Sequence, residues 1–232
     1  MDKSCKKISK FENQEDYIAW VNAQSWYQSI PLQNGYCTPG KFPTQKRLPW
    51  FDQFDFVGKT VLDIGCNSGQ YSLYAKRKGA VKVTGIDVDA NRINQAATLS
   101  ANEEVDVDFQ VMGLDGISDL GVFDITLCIA VVTEVENVIG ALRGIRKATG
   151  KIAIIEMGLS QSVFNISRSK RWWVHDSKVS RRGRAAEMYR HKHAGWVMFP
   201  SLEIVQDIFG DDFEVSHEGH GLRYEKVVAR RR

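Results

Sequence analysis

The twelve residues from Thr60 to Tyr71, TVLDIGCNSGQY, constrain the chain more than any other stretch. Val61, Leu62 and Ile64 make the kind of apolar run found in a strand buried on both faces. Gly65 and Gly69 then supply a turn whose backbone can approach a ligand with no Cβ in the way. The stretch therefore reads as a strand, a tight loop and the start of a helix, the junction at which open α/β sheets bind nucleotides. The spacing is Gly-x-x-x-Gly, without the middle glycine of the dinucleotide pattern, and Asp63 stands two residues before the first glycine. A carboxylate there repels a pyrophosphate and suits a ligand that carries ammonium and sulfonium charges.

About twenty residues downstream, VKVTGIDVDANRINQA reads as a second strand, an acidic end and a new helix. Asp87 is the first acid after that strand. Its spacing from Gly65 fits one intervening helix, and an acid in this place accepts hydrogen bonds from the two ribose hydroxyls of a nucleotide. Together the two stretches resemble motif I and the following acidic motif of class I S-adenosylmethionine-dependent methyltransferases. The resemblance implies a Rossmann-like α/β fold with a seven-stranded, mostly parallel sheet in the order 3-2-1-4-5-7-6, helices on both faces, and S-adenosyl-L-methionine as cofactor. It places cofactor contacts on Asp63, Gly65, Cys66, Asn67, Gly69, Asp87 and Val88. Further contacts are expected at Leu114, Asp115 and Ile129, with adenine near Met112 to Asp115 and the Asp115 carboxylate within reach of its exocyclic amine.

The pattern after Thr60 alternates regularly. It predicts strands over 60–65, 81–87, 106–111, 123–129 and 151–157, and helices over 69–78, 90–100 and 136–147. Alternating strands and helices mean a parallel sheet. A helix near 202–209 and strands over 213–217 and 223–229 finish the chain as a hairpin. The expected organisation is an N-terminal helix and arm over 1–55 and a catalytic domain over 56–232, with an insertion at 161–200 after the fifth strand.

Ahead of the first strand, a helix is expected from Asn13 to Ser25, followed by an aromatic, proline-rich arm without regular structure. Trp26-Tyr27, Thr38-Pro39-Gly40 and Leu48-Pro49 resemble the arm of methyltransferases related to the tRNA wobble-uridine carboxymethyltransferases. In that group the arm folds over the cofactor, which implies cofactor contacts for Trp26 and Tyr27. Plain packing beneath the sheet is the alternative reading of the same residues.

The insertion is basic. From Arg168 to His193 it carries nine Lys or Arg against two acids, with Trp172, Trp173 and Tyr189 interleaved. Cations for phosphates and flat rings for bases suit a nucleic acid, whereas a helical lid with inward tryptophans and solvated arginines is the plainer reading. Either way Trp172, Trp173, Arg181, Arg182 and Tyr189 are the candidate substrate-binding residues. At the fourth strand, CIAVVTEVENV departs from the carboxymethyltransferase group, which has a Val-Leu-Tyr-His and basic residues where this chain has Val132, Thr133 and Glu134. The departure removes the cation that would face a carboxylated cofactor, so plain methyl transfer is expected. Glu134 and Glu156 stand where a general base could act; Glu134 can equally cap the next helix as a solvated acid, and Glu156, at the end of the fifth strand, carries the same ambiguity.

The expected activity is transfer of a methyl group to a small-molecule O or N acceptor. The alternatives are an RNA (tRNA) base methyltransferase and an inactive methyltransferase-like binding module. A net charge of +3 makes no case for nucleic acid by itself. The 232 residues, 43% of them hydrophobic, suffice for one large domain. The four cysteines lack metal spacing and suit reduced thiols in the cytoplasm. No metal is expected, nor a signal peptide or membrane association, since the longest apolar run, Ile125 to Val132, is too short to span a bilayer. Homodimerisation stays open.

Overall fold

A computed structural model of the chain describes residues 10–157, 159, 172–174, 186–191, 195–218 and 225–232. Seven strands form one sheet: β1 (Thr60–Ile64), β2 (Lys82–Asp87), β3 (Asp108–Val111), β4 (Phe123–Ile129), β5 (Thr149–Met157), β9 (Phe213–Glu218) and β10 (Glu225–Arg231). Their order is β3-β2-β1-β4-β5-β10-β9, which is the expected 3-2-1-4-5-7-6 once the three strands of the insertion are counted apart. β1 pairs with β2, β2 with β3 and β4 with β5 in parallel, and β10 runs antiparallel to both of its neighbours. From Val61 to Ile64 every residue of β1 is buried, as a strand covered on both faces requires.

The chain divides into two compact units, Met1–Gly113 and Leu114–Arg232. The first opens with α1 (Gln14–Ala23), where the Asn13 side chain accepts a hydrogen bond from the Asp16 N–H at 2.9 Å. The helix stops short of Ser25 because Gln24 is already extended. The arm is not wholly irregular: a 3-10 turn spans Thr44–Arg47 and a one-turn helix, α2, spans Leu48–Phe51. Pro49 in the first turn of α2 is harmless there, since an N–H at that place has no intrahelical partner to lose. Thr38 pins the arm to itself, its hydroxyl donating to the Gln28 carbonyl at 2.7 Å and accepting from the Ile30 N–H at 2.8 Å. At Gly40 any Cβ would lie 2.1 Å from the Gln28 carbonyl carbon. The Thr38-Pro39-Gly40 turn thus lets two arm segments touch backbone to backbone.

Two helices flank this half of the sheet, α3 (Gln70–Arg77) and α4 (Ala90–Asn102). Leu73 of α3 and Leu99 of α4 share a buried cluster with Tyr17, Val21, Trp26, Ile30 and Leu32. The arm is therefore part of the core, held by burial of apolar area. Its polar anchor is Glu103, at the end of α4. The carboxylate pairs with Arg77 at 2.8 Å and accepts from the Tyr17 hydroxyl at 3.2 Å and the Gln33 N–H at 2.7 Å.

In the second unit, α5 (Val138–Ala148) turns Val138, Ala141, Leu142 and Ile145 inward at helical spacing, and α6 (Leu202–Phe209) does so with Val205 and Phe209. The insertion carries β6 (Trp172–Val174), β7 (Ala186–His191) and β8 (Gly195–Pro200), which pair antiparallel in a sheet of their own. A helical lid was the plainer expectation. The Trp, Val, Tyr and Phe content of these segments favours the extended backbone that is found.

Candidate functional site

The loop after β1 is shaped by three left-handed residues in five: Gly65 at φ +68°, Asn67 at φ +52° and Gly69 at φ +88°. Asn is among the few side chains that tolerate this conformation. At Gly69 a Cβ would also stand 2.8 Å from the ring of Phe109, so both the dihedral and the space demand glycine. The Asn67 N–H donates to Asp87 Oδ2 at 2.9 Å, and the Asp89 N–H donates to Asp87 Oδ1 at 2.9 Å. The acid at the end of β2 is thereby aimed at the rim of the loop by two backbone donors. Each carboxylate oxygen accepts more than one hydrogen bond, so capacity remains for hydroxyl donors.

Asp63 is only 1% exposed, and its Oδ2 accepts from the Ser72 hydroxyl at 2.6 Å. Burial chiefly, with the Asp87 charge adding to it, pushes its carboxyl up to about 7, while the Ser72 hydroxyl pulls the other way. The carboxylate ties β1 to α3 behind the loop. Cys66 is fully buried, and burial drives its thiol well above the ordinary range. Val88, next to Asp87, is 74% exposed and offers an apolar surface beside the oriented acid.

The two arm aromatics separate. Trp26 is interior, its indole N–H donating to the Val21 carbonyl at 2.6 Å. Tyr27 is 44% exposed and stacks on Phe42 with ring centroids 4.2 Å apart.

In the second unit, Leu114 and the exposed Asp115 open a 3-10 turn over Leu114–Leu120. Ile129 is buried at the end of β4, and Ala130 turns the chain at φ +59°, its N–H donating to the Glu156 carbonyl at 2.8 Å. Glu156 itself is buried in β5. Glu134 is exposed in a 3-10 turn over Val132–Glu134, and it does not cap the next helix: Asn137 does, accepting from the Gly140 N–H at 2.8 Å. In the insertion, Trp172 and Trp173 lie on β6 opposite Met188 and Glu187, and Tyr189 lies on β7 opposite Val197. Arg181 and Arg182 lie outside the described residues.

Sequence reasoning passed over Ser68, Ser72 and Gln95. Ser68 and Gln95 share a 2.9 Å hydrogen bond within the buried interior. The signal was there for Gln95, a long polar side chain between Ile93 and Ala96 on the face of the helix that buries Ile93, Ala96 and Leu99.

The family described as Methyltransferase domain matches residues 61–150. The ribosomal protein L11 methyltransferase of Thiobacillus denitrificans is 28% identical over 145 residues, covering 62% of this chain and 48% of that one. Its counterpart in Burkholderia thailandensis is 34% identical over 116 residues, covering 50% and 38%. The chain thus spans less than half the length of these curated relatives. Among solved structures, the N-terminal domain of EvdMO1, determined in the presence of SAH and D-fucose, superposes with a TM-score of 0.66 at 13% identity, covering 94% of this chain and 95% of that one. Magnesium protoporphyrin IX methyltransferase from Synechocystis, with bound SAM, gives 0.53 at 16% identity over 82% and 78%. The strand order, the glycine loop with its acid at the end of β2, and the match over residues 61–150 agree: the chain has the class I S-adenosylmethionine-dependent methyltransferase fold, and its residues 61–150 match a methyltransferase domain.

Proposed function

We propose that this protein is an S-adenosylmethionine-dependent methyltransferase that binds its cofactor along the 65–69 loop and Asp87. The observation that carries the reading is the Asp87 carboxylate, held by the Asn67 and Asp89 N–H groups at the rim of a loop built from left-handed residues. That arrangement fits a ribose diol against Asp87 and an adenine face against the exposed Val88. Leu114, Asp115 and Ile129 complete the proposed cofactor contacts. The cofactor would supply a methyl group already attached to a good leaving group, so the chain's own task is to orient the acceptor and exclude water. With Trp26 taken up by the core, Tyr27 is the one of that pair left to face a ligand. This narrows the arm's likeness to the wobble-uridine carboxymethyltransferase group to a covering role for one ring.

The acceptor we favour is a small molecule methylated on O or N, with Glu134 as the base where a proton must leave: it is exposed, whereas Glu156 is buried. The likeness to a domain determined in the presence of D-fucose covers 94% of the chain and supports this choice. A macromolecular acceptor is the second reading. The named substrate of the L11 methyltransferases and the nine cations between Arg168 and His193 favour it, with tRNA the candidate nucleic acid. Calorimetric titration of the protein with S-adenosylhomocysteine tests the cofactor site. Asp87→Ala should weaken binding by about 2 to 4 kcal/mol through loss of charge-assisted hydrogen bonds. Unchanged affinity in that variant refutes the assignment.

A further inference from the structure

A chain of hydrogen bonds leads from the 65–69 loop across α4 to the arm. The Asn67 side-chain oxygen accepts from the Ser68 N–H at 2.8 Å, and the buried Ser68 hydroxyl lies 2.9 Å from Oε1 of Gln95. The same Gln95 carboxamide donates from Nε2 to the Ser25 carbonyl at 3.1 Å. Arg92 joins from one turn earlier, donating to the Ser25 carbonyl at 2.9 Å and to Gln95 Oε1 at 3.3 Å. Ser25 is the last residue before Trp26 and Tyr27, the point where the arm leaves α1.

Gln95 is 6% exposed, so its amide has little water to fall back on: losing Ser25 takes away the acceptor of its Nε2, and losing Ser68 leaves its Oε1 with only the longer bond from Arg92. Helix α4 does not need this residue to form: Asp89 caps its N-terminus, and Ile93, Ala96 and Leu99 supply its buried apolar side chains. An amide is the one side chain of this size with an acceptor for Ser68 and a donor for Ser25 at once. A carboxylate can serve only the first, and an alkyl group neither.

We propose that Gln95 is a positioning residue that straps the loop to the arm, so that filling the loop orders the arm and loosening the arm weakens the loop. The proposal rests on reading the loop as the cofactor site. The Asn67 N–H held by Asp87 lies next to Ser68, so a ligand that settles on Asp87 acts on one end of the strap while Ser25 holds the other.

Limited trypsin digestion tests it, with cleavage after the exposed Lys41 and Lys46 followed by mass spectrometry, with and without S-adenosylhomocysteine. In the unaltered protein the ligand should slow arm cleavage. Gln95→Ala should speed ligand-free cleavage by about tenfold, abolish the protection and weaken ligand affinity by a similar factor. Gln95→Glu, which keeps the acceptor for Ser68 and loses the donor to Ser25, should behave as Gln95→Ala does at the arm. Ser68→Ala, made in the loop, should speed arm cleavage with no ligand present, and combining it with Gln95→Ala should add little. Protection retained in Gln95→Ala, or arm cleavage in Ser68→Ala at the unaltered rate, overturns the strap. Should Gln95→Ala fail to fold, the other two variants decide. If the unaltered protein does not bind the ligand, the cofactor reading fails, and the ligand-free rates of Ser68→Ala and Gln95→Glu still decide the strap.

Discussion

Replacing Asp63 by Asn should make the protein less sensitive to pH, and the size of the effect follows from burial. The carboxyl has an ordinary value of 3.8 and is pushed to about 7 in the folded chain. Between those values the folded state holds a proton that the unfolded chain has released, so stability falls as pH rises through the window and levels off above it. The window is some three pH units wide, and each unit is worth about 1.4 kcal/mol, so the full loss is about 4 kcal/mol. For a chain of this length 1 kcal/mol moves the melting temperature by about 2 to 4 °C, which gives a loss of about 10 °C between pH 4 and pH 7.5. Asn removes the titrating group, and its side-chain oxygen still accepts from the Ser72 hydroxyl. Thermal unfolding of both proteins at fixed ionic strength, from pH 4 to pH 8, isolates this residue, because the other titrating groups cancel in the difference. The variant should gain on the parent steadily up to about pH 7. A difference in melting temperature that stays constant across the range would refute the reasoning.

Gly69→Ala should cost more than the usual glycine exchange, about 2 to 4 kcal/mol, since it forces a left-handed residue and drives a methyl group against the Phe109 ring. Urea unfolding measures it, and a Gly69→Ala protein as stable as the parent would count against the loop geometry. Glu103→Ala removes the partner of Arg77, Tyr17 and Gln33 together and should destabilise the chain by about 3 kcal/mol, read in the same assay. Arg77 is about one-third exposed, which keeps the loss towards the low end for a buried pair. Arg181, Arg182 and Arg184 changed together to alanine should leave a small-molecule methylation largely intact. A tRNA affinity that falls steeply with salt, and is lost in that triple variant, would favour the macromolecular acceptor instead.

The sheet was legible because its information is local. β1 and β2 are short apolar runs that end in a glycine and an acid, and they carry the motif at those ends. The strand order followed from the family resemblance and not from the pattern itself. The insertion was less legible: its charges dominate the sequence between Arg168 and His193, while the three strands found there are set by Trp, Val, Tyr and Phe residues at spacings that charge counting hides. Asp63 shows a different limit. The motif told that an acid stands before the loop, but its burial and its bond to Ser72 depend on α3 packing back onto β1, which no local pattern contains.

The arm turns this limit into a statement about function. Its residues were read as a cover for the cofactor, yet Trp26 packs with Leu73 and Leu99, Thr38 and Gly40 fasten the arm to its own backbone, and Glu103 anchors Tyr17 and Gln33 from the end of α4. An arm fixed at so many points cannot swing as a free flap without exposing that cluster, a cost of several kcal/mol at about 25 cal/mol per Å² of apolar surface. Movement on the scale of ligand exchange is cheaper where the arm meets α4 through hydrogen bonds alone, at Ser25 on Arg92 and Gln95, and where Tyr27 and Phe42 already stand in solvent. Any opening that admits a ligand should therefore be confined to Ser25, Tyr27 and Phe42 while α1, Trp26, Ile30 and Leu32 stay in place, and hydrogen exchange resolved by peptide would show protection by S-adenosylhomocysteine in 25–29 and none in 14–23. Equal protection of both segments would mean that the arm moves as one body.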